Sequence, residues 1–325
     1  MYSLRFDMRC PEWGAASATD LYQAAIEMAR YADAKGGVSV MVSEHHHSSD
    51  GYLPSPLVLA SAIAGVTQRI PIQVGALLLP LHDPVRIAED MLVLDHVSRG
   101  RVSYILAVGY RPEEYGMLGR AFRERGARMD ECLDVLRRAF TGEPFDYQGR
   151  RVWLRPRPAT PGGPTLFLGG HSKPAIRRAA RHGLGMLTEG ATGLEAFYRA
   201  ECAKFGTSPG PFIDAPAGSV NSAFVAEDPE RAWRDYGPYL LHDAKMYAEW
   251  FGGDHESVTK SAATDVEALR REGGNYRIYS IAEAVEAVQK TGMLALQPLC
   301  GGLPPELAWR SLRLVVEKVL PAAQR

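Results

Sequence analysis

Short apolar runs alternate with amphipathic stretches along nearly the whole chain. The runs predict strands at residues 2–8, 38–43, 72–79, 102–108, 165–170, 185–189, 218–226 and 294–299. Apolar residues three or four positions apart predict helices at residues 19–34, 56–68, 83–97, 123–140, 172–182 and 304–320. We expect Thr19 or Asp20, Asp83 and Ser172 to cap three of these helices. Eight strands, most followed by a helix, predict an α/β protein, a (β/α)8 TIM barrel rather than an open doubly wound sheet.

Two segments interrupt this alternation. Residues 142–164 are rich in proline and glycine, which predicts a hairpin and loop excursion. Residues 227–292 form a long insertion between strands 7 and 8, with helices at 229–251 and 281–290 around a polar stretch at 252–275. Such an insertion is either a lid over the active face or a disordered surface loop. Because no Gly/Ser linker divides the chain, we expect a single domain over residues 1–325.

Composition excludes several classes of function. The 37 basic and 38 acidic residues give a net charge of −1, which offers no field to attract nucleic acid. No apolar run approaches the ~20 residues of a membrane helix, and the N-terminus MYSLRFDMRC does not resemble an export signal. The four cysteines lie far apart in the sequence, which favours free thiols in a reducing compartment. We therefore expect a cytoplasmic protein that binds neither nucleic acid nor membrane.

The ends of the predicted strands carry most of the candidate chemistry, since barrels place functional groups there. Glu44 and three histidines follow the second strand. Strand alternation predicts that His45 and His47 converge while His46 points away, so a metal site would need a further ligand such as Glu189. We favour a single histidine acting as a base or hydrogen-bond partner, with a solvated turn as the alternative.

Four further strand ends carry candidate residues. Residues 75–80, GALLLP, suit a planar aromatic ligand or a plain buried strand. After the fourth strand, Arg111 is a candidate for binding an anion. Residues 169–172, GGHS, open a helix and suit either a phosphate or ordinary helix capping. Cys300, after the last strand, has no base beside it in sequence, which argues against a nucleophile.

Four segments together resemble the bacterial luciferase-like flavin monooxygenases. They are SEHHHSSDGYLPSPLVLASAIAGVTQRI, VGALLLPLHDPVRIAEDMLVLDHVSRGRV, GYRPEEYGMLG and FLGGHSKPAIRRAARHGLG, in the family's order. The resemblance is dense over residues 38–122 and 165–190. It implies an eight-stranded barrel with an insertion before the last strand. It also implies that reduced FMN or a deazaflavin binds at the carboxyl ends of the strands.

The resemblance also assigns site residues. Glu44 and His45 stand where the family has its flavin-side glutamate and catalytic histidine, and Gly75 and Ala76 stand at a non-proline cis peptide under the flavin ring. The positions that it assigns to cofactor binding are Gly75, Ala76, Leu77, Val108, Gly109, Tyr110, Gly169, Gly170, His171, Ser172 and Lys173.

One position departs from the family pattern. Members often carry an arginine that pairs with the flavin phosphate where this chain has Val108. A charge-assisted hydrogen bond is worth roughly 1.5–3 kcal/mol, so we expect weak FMN binding unless Arg111 or Lys173 replaces it. Another flavin, or a member that no longer turns over, would also explain the departure.

The resemblance favours a monooxygenase that acts on a small hydrophobic substrate with dioxygen and with reduced FMN from a separate flavin reductase. The alternatives are a deazaflavin-dependent hydride-transfer oxidoreductase and a non-catalytic flavin-binding protein, and a metal hydrolase is more distant. By resemblance alone, we also expect a homodimer.

Overall fold

The structure is a computed structural model that describes residues 1–188, 190–216, 218–251 and 261–324. In the first half of the chain, strands and helices follow one another nearly as predicted. They are β1 (Tyr2–Phe6), α1 (Ala18–Ala34), β2 (Gly37–Val42), α2 (Pro56–Val66), β3 (Ile72–Leu77), α3 (Pro84–Ser98), β4 (Val102–Leu106), α4 (Pro112–Met117), α5 (Arg125–Ala139), β5 (Phe145–Tyr147) and β6 (Arg150–Val152).

The second half continues the alternation with shorter strands. Its elements are β7 (Thr165–Gly169), α6 (Lys173–His182), β8 (Gly185–Leu187), α7 (Glu195–Phe205), β9 (Phe212–Ile213), β10 (Ser222–Val225), α8 (Pro229–Phe251), α9 (Val266–Glu272), β11 (Tyr276–Tyr279), α10 (Ile281–Thr291), β12 (Leu294–Leu296), α11 (Pro305–Leu314) and α12 (Leu320–Ala323). No helix among these described elements is long and apolar enough to cross a bilayer.

The chain divides into two compact units. Unit 1 comprises Met1–Val42, Ser48–Pro54 and Pro216–Arg325. Its strands lie in the order β11-β10-β12-β1-β2, and every neighbouring pair is parallel. Along β1, Tyr2, Leu4 and Phe6 are buried, whereas Ser3 and Arg5 are half-buried. This period of two places Arg5 on the opposite face from the apolar residues.

Unit 2 comprises Ser43–His47 and Ser55–Ala215. Its strands lie in the order β3-β4-β7-β8-β9 and are again parallel. Strands β5 and β6 form a separate antiparallel hairpin, as predicted for the proline-rich segment. In parallel sheets the carboxyl ends of all strands lie at one edge, so the turns after β3, β4 and β7 are neighbours.

The described parts of the long insertion pack within unit 1. Its helix α8 buries Leu240, Asp243 and Tyr247, and β11 pairs with β10 from Ser222↔Tyr276 to Val225↔Tyr279. The predicted helices at 229–251 and 281–290 are present, but the strand between them was not predicted, nor was β9. Residues 252–260 of the polar stretch lie outside the described residues.

Two of the three predicted helix caps are confirmed and one is wrong. Asp83 accepts hydrogen bonds from the amides of Val85 and Arg86, and Ser172 accepts one from the amide of Ala175, as expected of both caps. The first helix is capped two or three residues earlier than predicted, because Ser17, rather than Thr19 or Asp20, accepts the hydrogen bond from the amide of Asp20. Near the C-terminus, a π-helical turn at Val315–Val319 separates α11 from α12 within the predicted final helix.

Candidate functional site

Glu44 is a buried carboxylate after β2 that is held by three hydrogen bonds. It is 2% exposed, and its Oε1 lies 2.9 Å from His46 Nε2 and 2.8 Å from His82 Nε2. Its Oε2 accepts a hydrogen bond of 2.6 Å from the backbone amide of Leu78. Both oxygens of the carboxylate are therefore engaged with protein groups.

These contacts fix the protonation state of Glu44. Burial on its own would raise the pKa of Glu44, but the hydrogen bonds from His46 and His82 outweigh it and hold the pKa at about 2. For His82, burial lowers the pKa, yet the hydrogen bond to Glu44 and its negative charge raise it more, so the net shift is upward. Glu44 is thus ionised at neutral pH and stabilises positive charge on His82.

Through Leu78, Glu44 also holds the end of β3. The peptide bond between Gly75 and Ala76 is cis, as the family resemblance implied. Leu77 follows it and is buried, and the amide of the next residue, Leu78, is the one bound to Glu44. Glu44 therefore acts here as a positioning residue for the backbone after β3.

His45 is held in a fixed orientation by a second carboxylate. Its Nδ1 lies 2.7 Å from Glu114 Oε1, and its Nε2 lies 3.2 Å from the Tyr110 hydroxyl. The rings of His45 and Tyr110 meet edge to face with centroids 5.4 Å apart. A carboxylate on Nδ1 favours the tautomer with its proton on Nδ1, so that Nε2 carries the lone pair that faces the Tyr110 hydroxyl.

Arg111 is occupied by protein groups, which corrects the prediction that it binds an anion. It is 6% exposed, and its Nη1 and Nη2 donate to the backbone carbonyls of His46 and His47 at 2.6 and 3.1 Å. Its Nη1 also lies 3.5 Å from Glu114 Oε1. Arg111 therefore holds the loop that carries the histidines and does not replace the phosphate-binding arginine.

The three successive histidines do not arrange as strand alternation predicted. His46 is buried against Glu44, whereas His47 is exposed and has a positive φ of 50°. The chain leaves the β conformation at this point, so the alternation rule no longer holds. Among the residues described, no group of three or more His, Cys, Asp or Glu is arranged to hold a metal ion, and Glu189 lies outside them.

The turn after β4 presents small and partly accessible residues. Val108, Gly109 and Tyr110 are half-buried, and the Val108 carbonyl accepts a hydrogen bond of 2.5 Å from the Tyr115 hydroxyl. Gly109 has φ +70°, which disfavours a side chain there. Ala76 on β3 is also half-buried, so neighbouring strand ends expose small residues side by side.

The turn after β7 leads into α6. Gly169 and Gly170 are half-buried, and Gly170 has φ +121°. His171 is half-buried, while Ser172 and Lys173 are exposed. The Ser172 hydroxyl is used as the helix cap, and Pro174 has no N–H, so helix amides supply fewer donors than expected. Lys173, with its Nζ 5.6 Å from the Phe197 ring centroid, is the cation of this turn.

Cys300 belongs to unit 1 and is fully buried. Burial, together with the nearby carboxylates of Asp243 and Asp7, raises the pKa of its thiol well above the ordinary value. A thiol with a raised pKa is a poor nucleophile. This agrees with the absence of a neighbouring base in the sequence.

Two members of the site, Glu114 and His82, were not predicted from the sequence. Glu114 lies three residues after Arg111 on α4, and His82 directly precedes the capping Asp83. A charged pair at i,i+3 after a predicted strand end was the available signal for Glu114. Nothing in the spacing indicates that His82 meets Glu44.

Comparison with known proteins places these features in a family. The sequence model of a family described as luciferase-like monooxygenase matches residues 8–301. A 4-hydroxyprotoasukamycin monooxygenase of Streptomyces nodosus subsp. asukaensis is 32% identical over 173 residues, which are 51% of this chain and 46% of that protein. The limonene 1,2-monooxygenase of Rhodococcus erythropolis is 32% identical over 118 residues, or 36% of this chain and 30% of that protein.

The chain matches about half of the length of its curated relatives. Two solved structures cover it almost completely. The monooxygenase RslO1 of Streptomyces bottropensis has a TM-score of 0.77, with 22% identity and 99% of both chains covered. The oxygenating constituent of 3,6-diketocamphane monooxygenase of Pseudomonas putida, solved with FMN, has a TM-score of 0.70 and 19% identity over 99% of this chain and 98% of that one. This likeness confirms the predicted fold class, a TIM barrel.

Proposed function

Because the chain belongs to the luciferase-like monooxygenases, we propose that it uses reduced FMN and dioxygen to oxidise a small hydrophobic organic compound. The names of its relatives support this substrate class, since they include enzymes that act on limonene and on long-chain alkanes. The observation that carries the proposal is the oriented His45, with Glu114 on one ring nitrogen and Tyr110 on the other.

The residues of unit 2 fit a flavin. Half-buried small residues at the ends of β3, β4 and β7 form a surface on which a planar ring can lie against backbone, namely at Ala76, Gly109 and Gly169. Glu114 Oε2 is buried and has no hydrogen-bond partner among the described residues, so the cluster retains an unused acceptor. Leu78 packs beside Gly109, which adds an apolar side to this surface.

We assign the phosphate end of FMN to the turn before α6. Gly170 and Ser172 shape this turn, and Lys173 supplies the positive charge. With Val108 in place of an arginine, we expect weaker binding than a guanidinium would give. Weak binding suits a flavin that arrives reduced from a separate flavin reductase and leaves after oxidation.

Bound reduced FMN supplies two electrons for the activation of dioxygen. The chain supplies orientation and proton transfer around it. Glu114 holds His45 so that Nε2 faces the Tyr110 hydroxyl, and an imidazole nitrogen in this position can accept a proton and return it. Glu44 keeps the backbone after the cis peptide in place.

A histidine variant with a matched control tests this function. We expect His45→Ala to bind reduced FMN within about twofold of the parent in an anaerobic titration, yet to lose roughly 10²–10⁴ in substrate-dependent oxygen consumption. The exposed neighbour provides the control, so His47→Ala should retain both properties. Turnover at the parental rate in His45→Ala would remove His45 from the reaction.

The choice of flavin needs its own measurement. Titration with FMN and with a deazaflavin, each oxidised and reduced, should show the tightest binding for reduced FMN. Tighter binding of the deazaflavin would favour hydride transfer instead. Reduced FMN that binds but yields no oxygenated product from any trial terpene, alkane or cyclic ketone in the presence of dioxygen would favour a non-catalytic flavin-binding protein.

We also propose that the protein is a homodimer. Helices α2 and α3 pack against each other and expose a row of valines to solvent. Val58 is 72% exposed, Val93 52% and Val97 45%. Residues 58 and 66 on α2 and 93 and 97 on α3 recur at helical spacing, so they form stripes of the kind that a second copy would cover.

A further inference from the structure

Unit 1 contains a second group of buried charges that the proposed function does not use. It is centred on Arg9, which is 0% exposed and follows β1. Arg9 Nε donates to Asp243 Oδ1 and its Nη1 donates to Asp50 Oδ2, each at 2.6 Å. Two carboxylates from distant parts of the chain thus hold one guanidinium.

Aromatic rings surround the same guanidinium. Its central carbon lies 4.3 Å from the ring centroid of Trp250, 4.8 Å from that of Tyr52 and 4.9 Å from that of Tyr247. These distances are within the range of cation–π contacts. Trp250 is half-buried, so this aromatic wall is partly accessible, whereas the two tyrosines are buried.

Two cationic donors of this group are unused. Arg9 Nη2 is buried and has no hydrogen-bond partner among the described residues, and the same is true of Arg5 Nε. Arg5 lies on β1, two residues before Asp7. The Nη2 of Arg5 donates to the Tyr247 hydroxyl at 2.6 Å. A buried N–H without an acceptor is costly, so native proteins rarely leave one unless something else binds it.

The surrounding charges select the kind of acceptor that fits. Asp50 and Asp243 form ion pairs with Arg9, Asp7 adds a third carboxylate 3.8 Å from Arg9 Nε, and His242 Nε2 lies 2.9 Å from Asp50 Oδ2. Burial, together with Asp243, raises the pKa of Asp7 to about 7, so this carboxyl is partly ionised at neutral pH. An anionic ligand would meet these carboxylates, while a cationic ligand would meet unpaired donors. A neutral oxygen acceptor avoids both penalties.

We infer that Arg9 and Arg5 bind the neutral oxygen of a compact apolar compound, such as a cyclic ketone, beside the aromatic wall of Tyr52, Tyr247 and Trp250. The inference rests on the proposed function only where this ligand is called the substrate. Binding itself needs no flavin, so it can be measured on the protein alone.

The test compares two ligands of the same shape on the full chain. Cyclohexanone has the carbonyl oxygen, and methylenecyclohexane replaces it with a carbon. By isothermal titration calorimetry, the ketone should bind at least about tenfold more tightly than the alkene. In a ¹⁵N spectrum of the arginine side chains, the ketone should shift the resonances of Arg5 and Arg9. Equal affinities, or unshifted arginine resonances, would overturn the inference.

Variants of Arg5, compared with a variant of an exposed arginine, test where the ketone binds. Arg5→Met should lower ketone affinity about tenfold and leave alkene affinity unchanged, and Arg5→Lys should restore part of the loss. The control is Arg30→Met on α1, an exposed arginine of the same unit, which should change neither affinity. An equal loss in Arg30→Met, or tighter binding of cyclohexanecarboxylate than of the ketone, would contradict the assignment.

The outcomes separate this inference from the proposed function. Ketone binding at Arg5 and Arg9, with no oxygenated product when reduced FMN and dioxygen are supplied, would support the site and refute the monooxygenase. An oxygenated product from another substrate, together with no ketone binding, would support the monooxygenase and refute the site.

Discussion

Two buried carboxyl groups, Asp7 and Glu44, have pKa values that are shifted in opposite directions. Glu44 accepts hydrogen bonds from two histidines and a backbone amide, and its pKa falls to about 2. For Asp7, burial and the neighbouring Asp243 outweigh the hydrogen bonds and positive charge of Arg9, and the pKa rises to about 7. The partners around a carboxyl, rather than its depth alone, decide its charge.

The raised pKa of Asp7 predicts a stability that falls with pH. Because the folded state holds this proton up to about pH 7 while the unfolded chain releases it near pH 4, the stabilisation is complete below about pH 4 and is lost by about pH 7. We expect the free energy of unfolding of the parent to fall, relative to that of Asp7→Asn, by roughly 2–4 kcal/mol across this window.

Urea unfolding at several pH values measures this difference. Asp134→Asn on α5, whose side chain is 51% exposed in the parent, serves as the control and should track the parent at every pH. A parent-minus-Asp7→Asn difference that does not depend on pH would show that Asp7 is ionised throughout.

At the scale of elements, the site depends on loops that hold strand ends in place. The turn after β2 provides Glu44, the amide of Leu78 after β3 donates a hydrogen bond to it, and α4 provides Glu114 for His45. Each of these contacts joins residues more than thirty positions apart. The strand ends therefore form one hydrogen-bonded layer in unit 2.

Glu44→Gln should loosen this layer. The neutral amide cannot stabilise charge on His82, so we expect a loss of roughly 3 kcal/mol in unfolding free energy at pH 7. Because the folded pKa is depressed, this contribution is present above about pH 4.5 and disappears as pH falls toward 2.

Hydrogen exchange gives a local readout for the same variant. The amide of Leu78 should exchange faster in Glu44→Gln, whereas the exposed Glu113→Gln on α4 should leave it unchanged. If Leu78 kept its parental protection in Glu44→Gln, Glu44 would not be what holds the end of β3.

For the whole molecule, the exposed valines of α2 and α3 are the proposed interface of the homodimer. We expect Val58→Glu combined with Val93→Glu to convert the dimer into a monomer, because two carboxylates per copy would have to be buried. Size-exclusion chromatography with light scattering measures the mass. Met117→Glu on α4, also an exposed apolar position, should remain dimeric, and a parent that is monomeric at micromolar concentration would refute the proposal.

The sequence determined much of the fold because its signals are local. Hydrophobic periodicity located the eight predicted strands, and the caps at Asp83 and Ser172 were readable from single residues. Strand β11 was not predicted because its sequence, YRIY, is only four residues long. The available signal was its aromatic and β-branched residues, which lie between Gly-Gly-Asn and the helix cap Ser280. Ser17 was missed because three polar residues within four positions, Ser17, Thr19 and Asp20, could each cap the helix.

The site was only partly predictable, because its partners are distant in sequence. His45, Glu44 and Tyr110 could be named from the sequence and its family resemblance. That Glu114 orients His45, that His82 meets Glu44 and that Arg111 holds a loop were decided by tertiary structure alone. Charge and tautomer depend on burial and on neighbours brought together by folding, and linear spacing carries neither. The sequence therefore determined which groups are available, and the packing of strand ends decided what each of them does.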